Sequence, residues 1–307
     1  MPKVPPGIRG AAITGWGTAL PDQVVTNHDL ERTLDTNHEW IVERTGIRER
    51  RVGGPTAGLS VEAGRKAIER AGLQPGDIDA LILATTTPDR VVPGTSSTVQ
   101  HALGLTCGAY DLNAACSGWV YGLVNAHGLI ALGAEKVLVI GTDTLARITD
   151  WDDRNTAILF ADGSGAAVLE AVEGSGQLLG WDLPADGSAE GALYAEVGGK
   201  LQMEGREVFR RAVRIMVESA TASMEAAGVT ADDLALVVPH QANIRIIAAS
   251  CERLGVELER ASIVLDRTGN TSAASIPLAL ADALDRGRIC EGDLVLFVGF
   301  GAGMTAA

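Results

Sequence analysis

The chain has 307 residues, of which 46% are hydrophobic and 21% charged, the balance of an ordinary soluble globular protein rather than a disordered one. Its 39 acidic residues against 25 basic ones give a net charge of −14, which repels phosphate backbones and excludes nucleic acid as a general partner. No apolar run reaches the roughly 18 residues of a membrane-spanning helix, so no membrane partner is expected. The N-terminal "MPKVPPGIRG" has basic residues but no apolar stretch behind them, which predicts no secretory leader and a cytoplasmic protein. Cys107, Cys116, Cys251 and Cys290 form no CxxC pair and no cluster with histidine, so neither a disulfide framework nor a metal site is expected.

In chain order, "AAITGWG" (11–17) and "ALILAT" (80–85) read as strands buried on both faces. "DLNAACSGWV" (111–120) follows. Beyond it Val120, Leu123, Val124, His127, Ile130 and Ala131 recur at helical spacing, which puts Cys116 at or just before a helix N-terminus. The helix dipole and free N–H groups there favour a thiolate, and Ala114, Ala115 and Gly118 leave room for a substrate. A packed core thiol fits the same position, because free cysteines are among the most buried residues. "KVLVIGT" (136–142) is the next strand. Around 171–200 glycine and small polar residues thicken and periodicity fades, which predicts a division into residues 1–171 and 172–307.

In the second half "GREVFRRAVRIMVESATASMEAAG" (205–228) is a helix burying Val208, Ala212, Ile215 and Ser219, stopped by Gly228. "LALVVPH" (234–240) is a strand that delivers His240 to a loop, where a histidine is either functional or merely hydrogen-bonded structure. Ile244, Ile247, Ala248, Cys251 and Leu254 then form an apolar helical face. "RTGNTSAASIPLAL" (267–280) turns at Gly269 and Asn270 into a helix capped by Thr271 or Ser272. "DLVLFVG" (293–299) is the last long strand. It runs into the glycine-rich "GFGAGMT" (299–305), whose N–H groups are suited to an oxyanion. Strands and helices alternate throughout, so the class is α/β.

Taken together, "AACSG", "PHQAN", "GNTSAAS", "TNHEWIVERTGIRERR" (36–51), "DRNTAILFADGSGAAVLE" (153–170) and "MEGREVF" (203–209) resemble the β-ketoacyl-acyl carrier protein synthase III family of the thiolase-like superfamily. The resemblance covers nearly the whole chain. It implies a thiolase-like fold of two related α/β halves packed as αβαβα layers, the first carrying the nucleophile and the second the histidine and asparagine. It also implies ping-pong catalysis: Cys116 takes an acyl group from acyl-CoA, malonyl-acyl carrier protein replaces CoA, and decarboxylation yields the carbon that attacks the thioester. His240 and Asn270 would stabilise the enolate, the N–H groups of Cys116 and Ala302 the acyl oxyanion, and Phe300 would pack beside them. No permanently bound cofactor is implied.

For acyl-CoA the resemblance implies Trp40 and Arg154 around the adenine, Thr36 and Arg44 near the nucleotide, and Asn243 and Gly205 along the pantetheine arm. Arg245, with Arg210, Arg211, Arg214 and Arg253, would dock the acidic carrier protein, and Val92 would enter the primer pocket of a partner subunit in a homodimer. A valine there predicts tolerance of branched or longer primers. The sequence departs from the family at Ala302, usually glycine, and at Glu252, often lysine. The stretch between "GALYAEVGG" and "KLQMEGREVF" is short, and the sequence stops at "GMTAA", before a further strand that the family has, which predicts an open sheet edge. A thiolase would need a second cysteine near the last turn, an elongating synthase a histidine at Asn270, and a papain-like hydrolase a different cysteine context. A starter-unit synthase or acyltransferase of polyketide metabolism shares the triad, and a non-catalytic acyl-CoA-binding homologue is the remaining alternative.

Overall fold

The computed structural model describes residues 8–174 and 176–307. The first seven residues, most of the stretch read for a leader, lie outside that range. A five-stranded sheet orders the strands Gly10–Ala19, Asp162–Val172, Lys136–Thr144, Ala80–Ala84 and Gly108–Leu112. The last three run parallel to one another, while Asp162–Val172 is antiparallel to both its neighbours. The helix Thr56–Arg70 covers one face of this sheet, with Ala63, Ala67 and Ile68 packed on Leu81, Leu83 and Ile140. The close approach depends on Gly17, where a Cβ would sit 2.3 Å from the Ala63 carbonyl oxygen.

The other face packs on the helices Gly118–Ala131 and Ser275–Asp285, which form a central layer. Beneath that layer lies a parallel pair of strands, Leu234–Pro239 and Leu294–Val298. Their alternation sorts the core: Leu236 and Val238 face the central helices, while Val237, Leu296 and Val298 face the opposite side, joined by Leu234 across a register shift between Leu234 and Leu236. That opposite side is closed by Gly205–Ala227 and Ile244–Leu254, through Val208, Ala212, Ile215, Ile247 and Cys251. Helix, sheet, helix, sheet, helix is the layered α/β order expected from the sequence. Gly228 ends the long helix in the left-handed conformation, as its stop signal predicted.

Asp162–Val172 is a strand that periodicity did not reveal. Its Gly163, Gly165, Ala166 and Ala167 lack the bulk of a strand signature, yet their smallness admits the central helix: a Cβ on Gly165 would meet Pro277 at 2.7 Å. The shortened stretch in the second half closes as a hairpin, Leu193–Tyr194 against Gln202–Met203. Among the described residues Leu294–Val298 pairs only with Leu234–Pro239, and a cavity of about 470 Å³ lined by Trp16, Leu123, Trp181, Leu280 and Phe297 runs beside these strands. Among the described residues no helix is long and apolar enough to cross a membrane.

Candidate active site

Cys116 lies in a 3-10 turn, Ala115–Ser117, between the strand Gly108–Leu112 and the helix Gly118–Ala131. Ala115 is held at φ +48, a left-handed conformation that costs a non-glycine residue energy and persists only where surrounding structure enforces it. The enforcement comes from the C-terminal turn: Thr305 Oγ1 donates to the Ala114 carbonyl at 3.0 Å, and Ser117 Oγ donates to the Thr305 carbonyl at 3.2 Å. Gly301 lies so near that a Cβ there would stand 2.6 Å from the Cys116 amide nitrogen. The strand-turn-helix reading is correct, and the turn is buried, which works against the thiolate expected there. Burial pushes the Cys116 thiol up to about 12 and Asp143 adds to the rise, with a hydrogen bond from Ser272 acting the other way. Desolvation of a charge outweighs a helix N-terminus that begins two residues further on.

His240 follows the strand Leu234–Pro239 and is 1% exposed. Its amide donates to the Val298 carbonyl at 2.8 Å, and its ring stands edge-on to Phe300 with centroids 5.4 Å apart. Burial lowers the imidazole to about 3, so it is neutral at ordinary pH. Nδ1 lies 2.6 Å from Ser275 Oγ. Gly299 joins the two regions, since a Cβ on it would lie 3.5 Å from His240 Cβ and 3.8 Å from Ser117 Cα.

Asn270 is held by the backbone of residues 159–161, its N–H donating to the Leu159 carbonyl and its carbonyl accepting from Ala161. The sequence predicted a cap by Thr271 or Ser272, but neither side chain caps the following turn or helix. Instead Asn270 Oδ1 accepts from the Ser272 amide at 3.0 Å. An N–H can only donate, so the oxygen of the carboxamide is tied and its NH2 is left to point elsewhere. Ser272 sits at φ +50 and Met304 at φ +44; with Ala115 these are the left-handed non-glycine residues among those described, and all three flank this pocket.

Asp143 was not singled out from sequence. Fully buried, it accepts through Oδ1 from the hydroxyls of Thr85, Thr86 and Thr87 and the amides of Thr86 and Thr87, and through Oδ2 from the Ala273 amide. It thereby ties the end of the first sheet to the elbow that carries Asn270 and Ser272. The available signal was a carboxylate inside the otherwise uncharged strand end "GTDT".

The outer residues are arranged differently. Arg154 and Arg44 lie over the Trp40 ring, 4.9 and 5.5 Å from its centroid, so the expected adenine site is partly filled by the Arg154 guanidinium itself. Arg154 also donates to the Asp35 carbonyl at 2.6 Å. Thr36 Oγ1 is buried without a hydrogen-bond partner among the described residues. Asn243 caps the helix Ile244–Leu254, accepting from the Arg245 amide and donating to the Arg44 carbonyl. Gly205 opens the long helix with space around it. Of the expected docking arginines, Arg210 and Arg211 are bound to Glu207, Arg211 also to Asp186, and Arg214 to Glu218. Arg245, stacked on Phe209, and Arg253 have no ion pair among the described residues, and neither has Arg206, which sequence reading passed over. Ala302 follows Gly301 in the turn against Cys116. Val92 is 81% exposed beside Val91, far more open than an apolar pair usually stands.

Fold and pocket define a class: a layered α/β protein that buries a neutral thiol with an imidazole and a carboxamide, each anchored on one side only. Comparison with known proteins narrows it. Residues 110–187 match the model of 3-oxoacyl-[acyl-carrier-protein (ACP)] synthase III, and residues 224–307 that of its C-terminal part. The chain is 48% identical over 317 residues to the β-ketoacyl-[acyl-carrier-protein] synthase III of Roseiflexus castenholzii, covering 97% of this chain and 96% of the relative. The crystal structure of 3-oxoacyl-[acyl-carrier-protein] synthase III from Aquifex aeolicus superposes with a TM-score of 0.95 at 43% identity, over 97% and 98% of the two chains. The priming β-ketosynthase of a polyketide biosynthetic pathway is also similar, at 35% identity and a TM-score of 0.91 over 98% and 96%. The chain belongs to the β-ketoacyl-[acyl-carrier-protein] synthase III family, and is an acyl-transferring condensing enzyme.

Proposed function

We propose that the protein condenses an acyl-CoA primer with malonyl-acyl carrier protein, releasing carbon dioxide and starting fatty-acid synthesis, through a thioester on Cys116. The observation that carries the reading is the meeting of three buried turns: Gly299 lies against both His240 and Ser117, and Ser272, whose amide is bound by Asn270, hydrogen-bonds to Cys116. Cys116 sulfur attacks the acyl-CoA carbonyl, its proton leaves with the CoA sulfur, and the new C–S bond replaces the old. Malonyl thioester then loses carbon dioxide, and the electron pair of the broken C–C bond becomes an enolate. A neutral His240 N–H and the Asn270 NH2 are suited to hold the enolate oxygen, and neither need remove a carbon-bound proton. The enolate carbon attacks the acyl thioester carbonyl, the Cys116 and Ala302 amides hold the oxyanion, and the Cys116 sulfur leaves with the C–S electron pair and takes a proton from solvent in place of the one lost with CoA.

Acyl-CoA enters past Trp40, Arg154, Thr36, Arg44, Asn243 and Gly205, and the carrier protein docks on Arg245 and Arg253 with Arg210, Arg211 and Arg214 beside them. No cofactor stays bound. The enzyme works in the cytoplasm as a homodimer, an arrangement supported by the exposed Val91 and Val92, with Val92 lending its side chain to the partner's primer pocket and admitting branched or longer primers. Residues 1–171 supply the nucleophile and 172–307 the histidine and asparagine. The curated relatives near 48% identity favour this reading over a role in polyketide metabolism.

Intact-protein and peptide mass spectrometry after exposure to a panel of acyl-CoAs, with Cys116→Ala as control, tests the proposal. An adduct on the Cys116 peptide that malonyl-acyl carrier protein discharges as β-ketoacyl product is expected. No adduct in a folded sample, or one on Cys107, Cys251 or Cys290, overturns it. Acetyl-CoA outpacing every longer or branched primer would overturn the assignment to Val92.

A further inference from the structure

The reaction needs a specific proton on His240, on the nitrogen that faces the pocket, and neutrality of the ring alone does not place it. A neutral imidazole has two tautomers, and which nitrogen keeps the proton is set by the partner of the other. His240 Nδ1 has one partner, Ser275 Oγ at 2.6 Å, and no other hydrogen bond of that hydroxyl is found among the described residues. Both residues are buried, and Ser275 opens the helix Ser275–Asp285 directly below the ring. Were the proton on Nδ1, it would donate to Oγ and leave the serine's own proton buried with no acceptor. With the hydroxyl donating to Nδ1, both groups are satisfied and the ring proton sits on Nε2. Among the described residues Nε2 has no hydrogen-bond partner, and it is not one of the polar atoms sealed from solvent, so it is left free for a ligand.

We propose that Ser275 is a positioning residue that fixes His240 as the Nε2–H tautomer, so that its one proton is presented to the enolate oxygen. The role rests on the condensing reaction proposed above, but the tautomer does not. His127 in the same chain is a built-in reference of opposite type, since its Nδ1 lies 2.8 Å from the Leu123 carbonyl and must donate.

Selective ¹⁵N-histidine labelling with long-range proton–nitrogen correlation, His240 being assigned from the spectrum of His240→Gln, reads the tautomer directly. The wild type is expected to show protonated Nε2 and bare Nδ1 at His240, the reverse of His127. Ser275→Ala should mix the tautomers and slow condensation roughly tenfold, less than the 10²–10³ for losing such a donor outright, while Cys116 acylation by acyl-CoA keeps its rate within about twofold. Ser275→Thr, which restores a hydroxyl, should recover both signals. A proton on Nδ1 in the wild type overturns the assignment, and so does a Ser275→Ala protein of normal circular dichroism that keeps a single tautomer and full condensation rate. The wild-type spectrum decides even where Ser275→Ala fails to fold. Protonated Nε2 in a wild type that no acyl-CoA acylates would uphold the tautomer and sink the condensing reaction.

Discussion

The floor of the pocket and its rim are held by different means. On the floor, Ala115, Ser272 and Met304 are bent into left-handed backbone, Gly301 lies under the Cys116 amide, and one carboxylate, Asp143, ties three threonines to the asparagine elbow. Around the rim, Arg44 and Arg154 lean on Trp40, and Arg245 and Arg253 project into solvent, each held by one contact or none. The difference follows from what each region must do. Atoms that share a transition state have to be placed before substrate arrives, whereas a nucleotide tail and a carrier protein can be met by side chains that shift.

Substitutions should expose this contrast in rank order. Cys116→Ala should remove acyl transfer by at least about 10⁴-fold with the fold intact, measured by single-turnover label transfer from acyl-CoA. Gly301→Ala puts a methyl 2.6 Å from the Cys116 nitrogen and should lower kcat about 10²-fold at nearly constant KM, since it moves an oxyanion donor. A KM effect without a kcat effect would mean that the turn belongs to the rim. Trp40→Ala should raise KM for acyl-CoA five- to tenfold, roughly the strength of one cation–π stack, and leave kcat within about twofold. At the smallest end, Arg245→Glu combined with Arg253→Glu should raise KM for the carrier substrate several-fold at low salt and little at high salt, and Arg214→Glu by about twofold or less, because Glu218 already neutralises it.

Protons sharpen the same comparison. With the thiol near 12 and the imidazole near 3, the floor should give acylation rates without an inflection between pH 5 and 9. Stability behaves otherwise. His240 has a folded value of about 3 against an ordinary 6.5, so the unfolded chain binds more protons between them. Its contribution is present above pH 6.5 and is lost as pH falls toward 3. Asp162, raised by burial from 3.8 to about 6, acts in the opposite sense: its contribution is present below 3.8 and is lost as pH rises through 6. Urea unfolding across pH 4–7.5 should therefore show a shallower acid decline for His240→Gln and a steeper one for Asp162→Asn. Unchanged slopes in both would refute the burial of these charges.

What the sequence disclosed divides along similar lines. Strands such as 136–142 and 234–239 were readable because runs of branched residues advertise burial on both faces, and Gly228 marked its helix end by the one property only glycine has. Asp162–Val172 was not readable as a strand, since residues chosen for closeness to a neighbour carry no periodic signal of their own. At the candidate site, Cys116, His240 and Asn270 were singled out through motifs, and the fold buries all three. Asp143 was not singled out, and the contacts of Ser272 and Ser275 were not legible within "GNTSAAS", because all three act on partners more than 30 residues away in the chain, at distances that only folding sets. Arg50 shows the same gap from the structural side: it is fully buried, donating to the Val25 and Ile158 carbonyls and to Asn27, and nothing in "RERR" sets it apart from its neighbours.

The raised thiol has a further consequence, for durability. Hydrogen peroxide and alkylating electrophiles consume thiolates, and burial that raises the Cys116 thiol to about 12 keeps it protonated at ordinary pH. Cys116, the proposed nucleophile, is thereby kept off the path to sulfenic and sulfinic acids while no substrate is bound. Cys290, exposed on the surface, is where oxidative damage should be found first in ageing samples.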